Sequence, residues 1–208
     1  MIDLVLPESR FHFAGPLMQM HRDRRRVFVD RLGWALPIRG SWLEVDEYDS
    51  DHAVYLLARD TDGSHQGSLR LLPSTGPHML AGMFAGLCAR AVPIGDDCWE
   101  ISRLVTNPNG ASGTSILRVH RLLALALLEF AGQNAIARFS LVIEADRLAA
   151  LLSVGWEVSP LGLPMPFEGE ILQALQIEIG ANSLAAMRAR FGVSQPMLTV
   201  RGMEREAA

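Results

Sequence analysis

Lysine is missing from all 208 residues, and the nineteen basic side chains are all arginine. That absence excludes a Schiff-base lysine, a pyridoxal-phosphate anchor and the lysine of a phosphate-binding P-loop. Cysteine is nearly missing too. Cys88 and Cys98 stand ten apart with no ligand spacing around them, so neither a disulfide framework nor a thiolate metal site is expected. The six histidines are scattered, without an H-E-x-x-H, and no metal is expected. No G-x-G-x-x-G follows a strand, which removes the dinucleotide-binding fold. Long apolar runs are absent as well. "LLALALLEFA" is broken by Glu129 and preceded by Arg118 and Arg121. It is too short to span a bilayer and reads as a buried helix. The opening "MIDLVLPESR" is interrupted too early for a signal peptide. A cytoplasmic protein without membrane insertion is expected. The net charge of −4 and pI of about 5.9 give no basic field for nucleic acid.

What is present is a chain 49% hydrophobic and 20% charged, which suits one soluble domain over residues 1–208. "IDLVLP" reads as a first strand. "PLMQMHRDRRRVFVDRLGW" carries Leu17, Met20, Val27, Phe28 and Leu32 at helical spacing. "PIRGSWLEVDEYDSD" is an acidic loop. "AVYLLARD" and "QGSLRLLP" flank the turn "TDGS" as a hairpin. "STGPHMLAGMFAGL" is irregular and "WEISRLVTN" is the next strand. "NGASGT" is a turn ahead of a helix from about Ser115 to Gln133. "ARFSLVIEA" is a strand, and "DRLAALLSVG" a short helix with Asp146 as its N-cap. "WEVSP" and "LQALQIEIG" are late strands, and "NSLAAMRARFG" is a final helix stopped by glycine. The order β-α-β-β-β-α-β-α-β-β-α mixes hairpins with crossover helices. It predicts an α/β (α+β) fold, a mixed central sheet with helices on both faces.

Four groups could carry chemistry. Arg24 and Phe28 in "RRRVF" are four apart, on one helical face. Asp46 and Asp49 lie in the acidic loop. Arg70 sits among Leu69, Leu71 and Leu72, and a buried arginine needs a carboxylate partner. Glu100 and Arg103 interrupt the strand "WEISRLVTN", either as a fold-stabilising ion pair or because a base is required there.

In this order and spacing, the residues resemble the acyl-homoserine-lactone synthase (autoinducer synthase) family of bacterial quorum sensing. The resemblance runs over residues 20–104, through "MHRDRRRVFVDRLGW", "EVDEYD", "GSLRLLPSTGPHML", "MFAGL" and "WEISR", and fades in the C-terminal half. Nine positions fill the family pattern without departure: Arg24, Phe28, Trp34, Asp46, Asp49, Arg70, Phe84, Glu100 and Arg103. The resemblance implies an acetyltransferase (GNAT)-like three-layer sandwich. It implies that the amino group of S-adenosylmethionine, a substrate rather than a tightly bound cofactor, is joined to an acyl group from an acyl thioester. The methionine-derived part is then closed to a homoserine lactone with release of 5′-methylthioadenosine.

The residue types suit that chemistry. Arg24 can pair with the substrate carboxylate and the two aspartates with its cationic end. Phe28 and Trp34 can pack on adenine or face the sulfonium. Glu100, directly or through water, is the expected base for the ammonium. Arg103 and Arg70 orient the carboxylates; the resemblance also implies that Phe84 binds S-adenosylmethionine and that Asp46 and Arg103 join Glu100 as catalytic residues. The acyl donor is acyl-CoA or acyl carrier protein, whose acidic surface would dock on Arg118, Arg121, Arg138 and Arg147. An acyl-CoA N-acyltransferase acting on another amine stands as the alternative, as does a domain that only binds an acyl ligand or S-adenosylmethionine. The pyrophosphate loop of the first is not matched by "NPNGASGT", with Gly110 and Gly113 at the wrong spacing.

In "FSLVIEA", alternation puts Phe139, Leu141 and Ile143 on one face, and Ser140, Val142 and Glu144 on the other. Leu141 and Ile143 are the expected acyl-chain residues. Ile143 stands where family members making 3-oxo products tend to carry threonine. Isoleucine has no donor for a C3 carbonyl, so an unsubstituted acyl chain is expected.

Overall fold

The structure is a computed structural model that describes residues 2–107 and 113–200. It divides into two compact units. Of the described residues, the first takes 2–70, 103–107, 113–127 and 195–200, the second 71–102 and 128–194.

The first unit opens with β1 (Ile2–Val5), a 3-10 stretch (Pro7–Phe13) and α1 (Ala14–Arg24). The helix does not run on unchanged as its spacing predicts. It widens into a π-helical turn over Arg25–Arg31, where the Leu32 N–H reaches back to the Val27 carbonyl. This turn buries Val27 and Phe28 against Val105, with Trp34 and Leu36 alongside. Next come the short ribbon β2 (Ile38–Arg39) and β3 (Leu43–Glu44), then β4 (Val54–Arg59) and β5 (His65–Pro73). The predicted β4–β5 hairpin is present. Its turn is closed by Asp60 N–H to the Ser64 carbonyl and Gly63 N–H to the Asp60 carbonyl. With β6 (Cys98–Thr106) and β11 (Leu198–Val200), the strand order in this unit is β11-β1-β4-β5-β6. β1 is parallel to β11 and antiparallel to β4, so the sheet is mixed. Buried on both sides, β1 and β4 read as continuous apolar runs. Asp23 on α1 meets His65 Nδ1 at 2.8 Å, and His65 Nε2 meets Ser68 Oγ at 3.0 Å, which ties α1 to β5.

The second unit is built on β7 (Arg138–Glu144), β8 (Glu157–Pro160) and β10 (Glu170–Glu178), with β9 (Met165–Phe167) paired to β10, and the strand order in it is β5-β6-β7-β10-β8. β6 and β7 run parallel, with Cys98–Ile101 opposite Arg138–Leu141. One face carries the end of α2 (Gly113–Gln133), whose Phe130 meets Trp99 edge-on at 5.3 Å. Here α4 (Ser183–Phe191) is tied to α2 through Arg188 and Glu129 at 2.8 Å. On the other face, Leu80, Leu87, Leu172 and Ala174 form a core with Val142 and Phe84 packed against it. Close approach is required at Gly162, where a Cβ would stand 2.1 Å from the Leu87 carbonyl oxygen.

Several expectations need correction or are not reached. Asp146 does not cap the short helix. It lies inside a 3-10 turn (Ala145–Arg147), and α3 (Leu148–Val154) follows Arg147 without a side-chain cap. The turn expected in "NGASGT" falls largely outside the described residues. The final glycine stop is present, with Gly192 at φ 66°. The ribbon β2–β3 and the strands β9 and β11 were not expected. Among the described residues, no helix is long and apolar enough to cross a membrane.

Candidate active site

Six charged side chains interlock in the first unit. Arg24 ends α1 and is fully buried. Its Nη1 and Nη2 donate to the two oxygens of Asp49 at 2.8 and 3.0 Å, and its Nε donates to Glu44. Arg70, equally buried on β5, donates from Nη1 and Nη2 to Asp46 at 2.5 and 3.2 Å and from Nη1 to Asp49 at 3.0 Å. Arg103 donates from Nε to Glu44 at 3.2 Å and from Nη2 to Asp46 at 2.7 Å. Three guanidinium groups meet three carboxylates, so the cluster is formally neutral. Its bidentate geometry fixes every member.

The backbone supports this arrangement. Asp46 and Asp49 lie in a tight turn in which Asp49 Oδ2 accepts the Asp46 N–H at 2.9 Å and Asp46 Oδ1 accepts the Tyr48 N–H at 2.9 Å. Arg103 has φ 52° in the middle of β6, a conformation that costs a non-glycine residue roughly 1–3 kcal/mol. The two ion pairs hold it there. Its guanidinium lies 5.6 Å from the centre of the Phe28 ring. Trp34 stacks on Phe28 at 5.0 Å and 8°.

Burial alone would raise the Asp49 carboxyl, but the Arg24 guanidinium, then Arg70, holds it far below the usual carboxylate range. Burial and then the Arg24 charge push the His21 imidazole down to about 4. His21 Nδ1 meets the Glu44 carbonyl at 2.7 Å. Tyr55 donates to Asp49 Oδ1 at 2.9 Å, and burial with the Asp49 charge raises its hydroxyl.

The second unit holds Glu100 at 2% exposure. Its Oε1 accepts the Met79 N–H at 3.1 Å and its Oε2 the Leu80 N–H at 2.6 Å. Phe84 meets Phe167 edge-on at 5.2 Å. Val142 packs with Leu80 and Phe84, so the alternation of β7 places Leu141 and Ile143 on the opposite face. Leu141 is buried and Ile143 half-buried.

Of the nine pattern residues, Arg24, Phe28, Trp34, Asp46, Asp49, Arg70 and Arg103 come together in the first unit, and Phe84 and Glu100 lie in the second. The sequence reading missed Glu44, His21 and Tyr55. Glu44 stands in the same acidic "EVDE" run as Asp46, and its burial is the only trait that separates it from the solvated acids nearby. Of the arginines proposed for carrier docking, Arg138 is paired with Asp97 at 2.7 Å and Arg147 with Glu144 at 3.0 Å. Among the described residues, no group of three or more His, Cys, Asp or Glu is arranged to hold a metal.

The sequence model of the family described as autoinducer synthase matches residues 12–187, so the likeness extends well past residue 104 into the C-terminal half. An acyl-homoserine-lactone synthase of Ralstonia nicotianae is 34% identical over 170 residues, 79% of this chain and 82% of that protein. An isovaleryl-homoserine lactone synthase of Bradyrhizobium diazoefficiens is 32% identical over 197 residues, 93% of this chain and 86% of that protein. A solved CoA-dependent acyl-homoserine lactone synthase with SAM and isopentyl-CoA superposes with a TM-score of 0.87 at 30% identity, covering 96% of this chain and 92% of that one. An N-acetyltransferase of Lactobacillus plantarum, at 16% identity and a TM-score of 0.56 over 86% of this chain and 99% of that one, shares the fold.

Proposed function

The chain belongs to the autoinducer synthase family, and from that premise we propose that it makes an acyl-homoserine lactone from S-adenosylmethionine and an acyl thioester. The amino nitrogen of S-adenosylmethionine attacks the thioester carbon, an N–C bond forms, and the C–S bond breaks to release the thiol. A carboxylate oxygen then attacks the carbon bearing the sulfonium. That C–S bond breaks, the lactone closes, and 5′-methylthioadenosine leaves. Both steps depend on holding the reacting atoms in line, which supplies several kcal/mol of a barrier.

The observation that carries the reading is the seat of Glu100. Two main-chain N–H groups fix both of its oxygens, which is what a base needs to meet one substrate proton in one orientation. Asp46 and Asp49 face the cationic end of the substrate. The stacked pair Phe28 and Trp34 supplies the aromatic surface for adenine or sulfonium. In this reading Arg24 joins Arg70 in orienting carboxylates instead of pairing with the substrate carboxylate. Both are fully buried with their guanidinium groups on carboxylates, so they orient Asp46 and Asp49 rather than grip the substrate. Arg103 does the same for Asp46.

A coenzyme A thioester is the donor in this reading. The likeness to a CoA-dependent synthase supports it, and so does the pairing of Arg138 and Arg147 with carboxylates, which weakens the basic surface an acidic carrier protein would want. Leu141 and Ile143 are the acyl-chain residues in this reading, which requires the acyl chain to cross from the face of β7 shared by Glu100, Ser140 and Val142 to their own, and the chain is unsubstituted. The test is mass spectrometry of reactions with S-adenosylmethionine and matched panels of acyl-CoA and acyl-carrier-protein thioesters. The expected products are an acyl-homoserine lactone and 5′-methylthioadenosine. An N-acylated amine without 5′-methylthioadenosine would assign the chain to simple acyl transfer, and no product with any donor would overturn the reading.

A further inference from the structure

Ser140 is fully buried on β7, and among the described residues its Oγ has no hydrogen-bond partner. A hydroxyl taken out of water with nothing to bond is destabilising, and alanine would fill almost the same space without that penalty. The register says where the hydroxyl lies. Ser140 is the direct partner of Glu100 in the parallel β6–β7 ladder. Their side chains therefore leave the same face of the sheet from strands about 4.8 Å apart. Leu80, whose N–H holds Glu100, packs with Val142 on this face. The neighbour of Ser140 on its other side, Gln176, donates its amide to Glu178.

We propose that Ser140 is a positioning residue for Glu100. Its hydroxyl and the Glu100 carboxylate together hold the water through which Glu100 takes the proton from the attacking amine. The proposal rests on the reading of Glu100 as the base. A carboxylate pinned by two main-chain N–H groups cannot follow its substrate, and a water held at a second point extends its reach by one hydrogen bond. The ammonium gives a proton to the water as the water gives one to Glu100. The freed nitrogen lone pair forms the bond to the acyl carbon. Glu100 passes this first proton to solvent; as the C–S bond breaks, the second proton lost by the nitrogen follows the same route onto the departing thiolate, so the base is restored for the next turnover.

Steady-state kinetics of Ser140→Ala, Ser140→Thr, Glu100→Gln and the Ser140→Ala/Glu100→Gln double variant test this. In Ser140→Ala, kcat should fall about tenfold, part of the roughly 10²–10⁴ that a positioned base contributes, while KM for both substrates stays put. Ser140→Thr, which keeps a hydroxyl, should recover most of the loss. On the Glu100→Gln background Ser140→Ala should cost nothing further, because the two residues act as one unit. A Ser140→Ala enzyme with wild-type kcat, an equal loss on both backgrounds, or a folded Ser140→Thr as slow as Ser140→Ala would overturn the role of Ser140 and leave Glu100 standing. A Glu100→Gln enzyme at wild-type rate would remove the base, and this proposal with it. If threonine proves too large for the site to fold, the coupling between the alanine and glutamine variants still decides.

Discussion

Replacing Arg24 with alanine should cost this protein far more stability than replacing Arg26, two residues away. Arg24 is fully buried and bonds both oxygens of Asp49 as well as Glu44, themselves almost fully buried. Its removal turns a neutral set of three arginines and three carboxylates into one with an uncompensated buried negative charge. Breaking a buried pair from one side costs about 3–5 kcal/mol. For a chain of this size, 1 kcal/mol moves Tm by roughly 2–4 °C, so Arg24→Ala should lower Tm by about 6–20 °C. Arg26 bonds Asp23 at 3.0 Å but is half exposed, and such a pair is worth at most about 1 kcal/mol. Thermal and urea unfolding of both variants give the comparison. A further signature is pH. Acid lets a carboxyl of the broken cluster take up a proton and discharge the site, so the gap between Arg24→Ala and wild type should narrow as pH falls toward 4. An Arg24→Ala protein melting within 2 °C of Arg26→Ala, or a gap that does not narrow in acid, would refute the view that Arg24 serves the carboxylates.

Glu100→Gln, nearly isosteric, should fold normally and lose on the order of 10²–10⁴ in turnover; a wild-type rate across pH 6–9 would make Glu100 structural. His21 predicts a pH dependence of stability. Its folded pKa of about 4 lies below the ordinary 6.5, so between these values the unfolded chain binds the proton and the folded one resists it. Stability should therefore fall by about 3 kcal/mol as pH drops through this window, and His21→Gln should flatten the decline; parallel curves for the two proteins would contradict the assignment. Asp49 acts lower down, because its depressed pKa gives stability that is complete above about 3.9 and lost only in stronger acid. With Ile143 in the acyl site, a 3-oxo thioester should be used about 5- to 150-fold less well than the unsubstituted thioester of equal length; equal use would remove Ile143 from that role.

The sequence by itself determined the order of the main strands and helices though not β2, β3, β9 or β11, the β4–β5 hairpin, the helix α2 with its buried C-terminal half, and the nine-position pattern. Each depends on local periodicity, turn chemistry or residue spacing, which a chain carries along its length. It also showed that Arg70 needed a carboxylate, because a guanidinium among leucines cannot stay unpaired. Only the tertiary structure decided which carboxylate. Glu44 and Asp46 stand two apart in one acidic run, yet they are bonded by arginines contributed from α1, β5 and β6. The β9–β10 hairpin escaped notice because its turn, Glu168 at φ 48° and Gly169 at φ 92°, uses a glutamate where asparagine or aspartate would have signalled it. The left-handed Arg103 has no local signal at all, since ion pairs to distant residues hold it there. Ser140 came to stand beside Glu100 for the same kind of reason. Alternation along β7 says which residues share a face, but the pairing of β7 with β6 is a long-range choice of register, and a one-residue slip would have put Phe139 or Leu141 there instead.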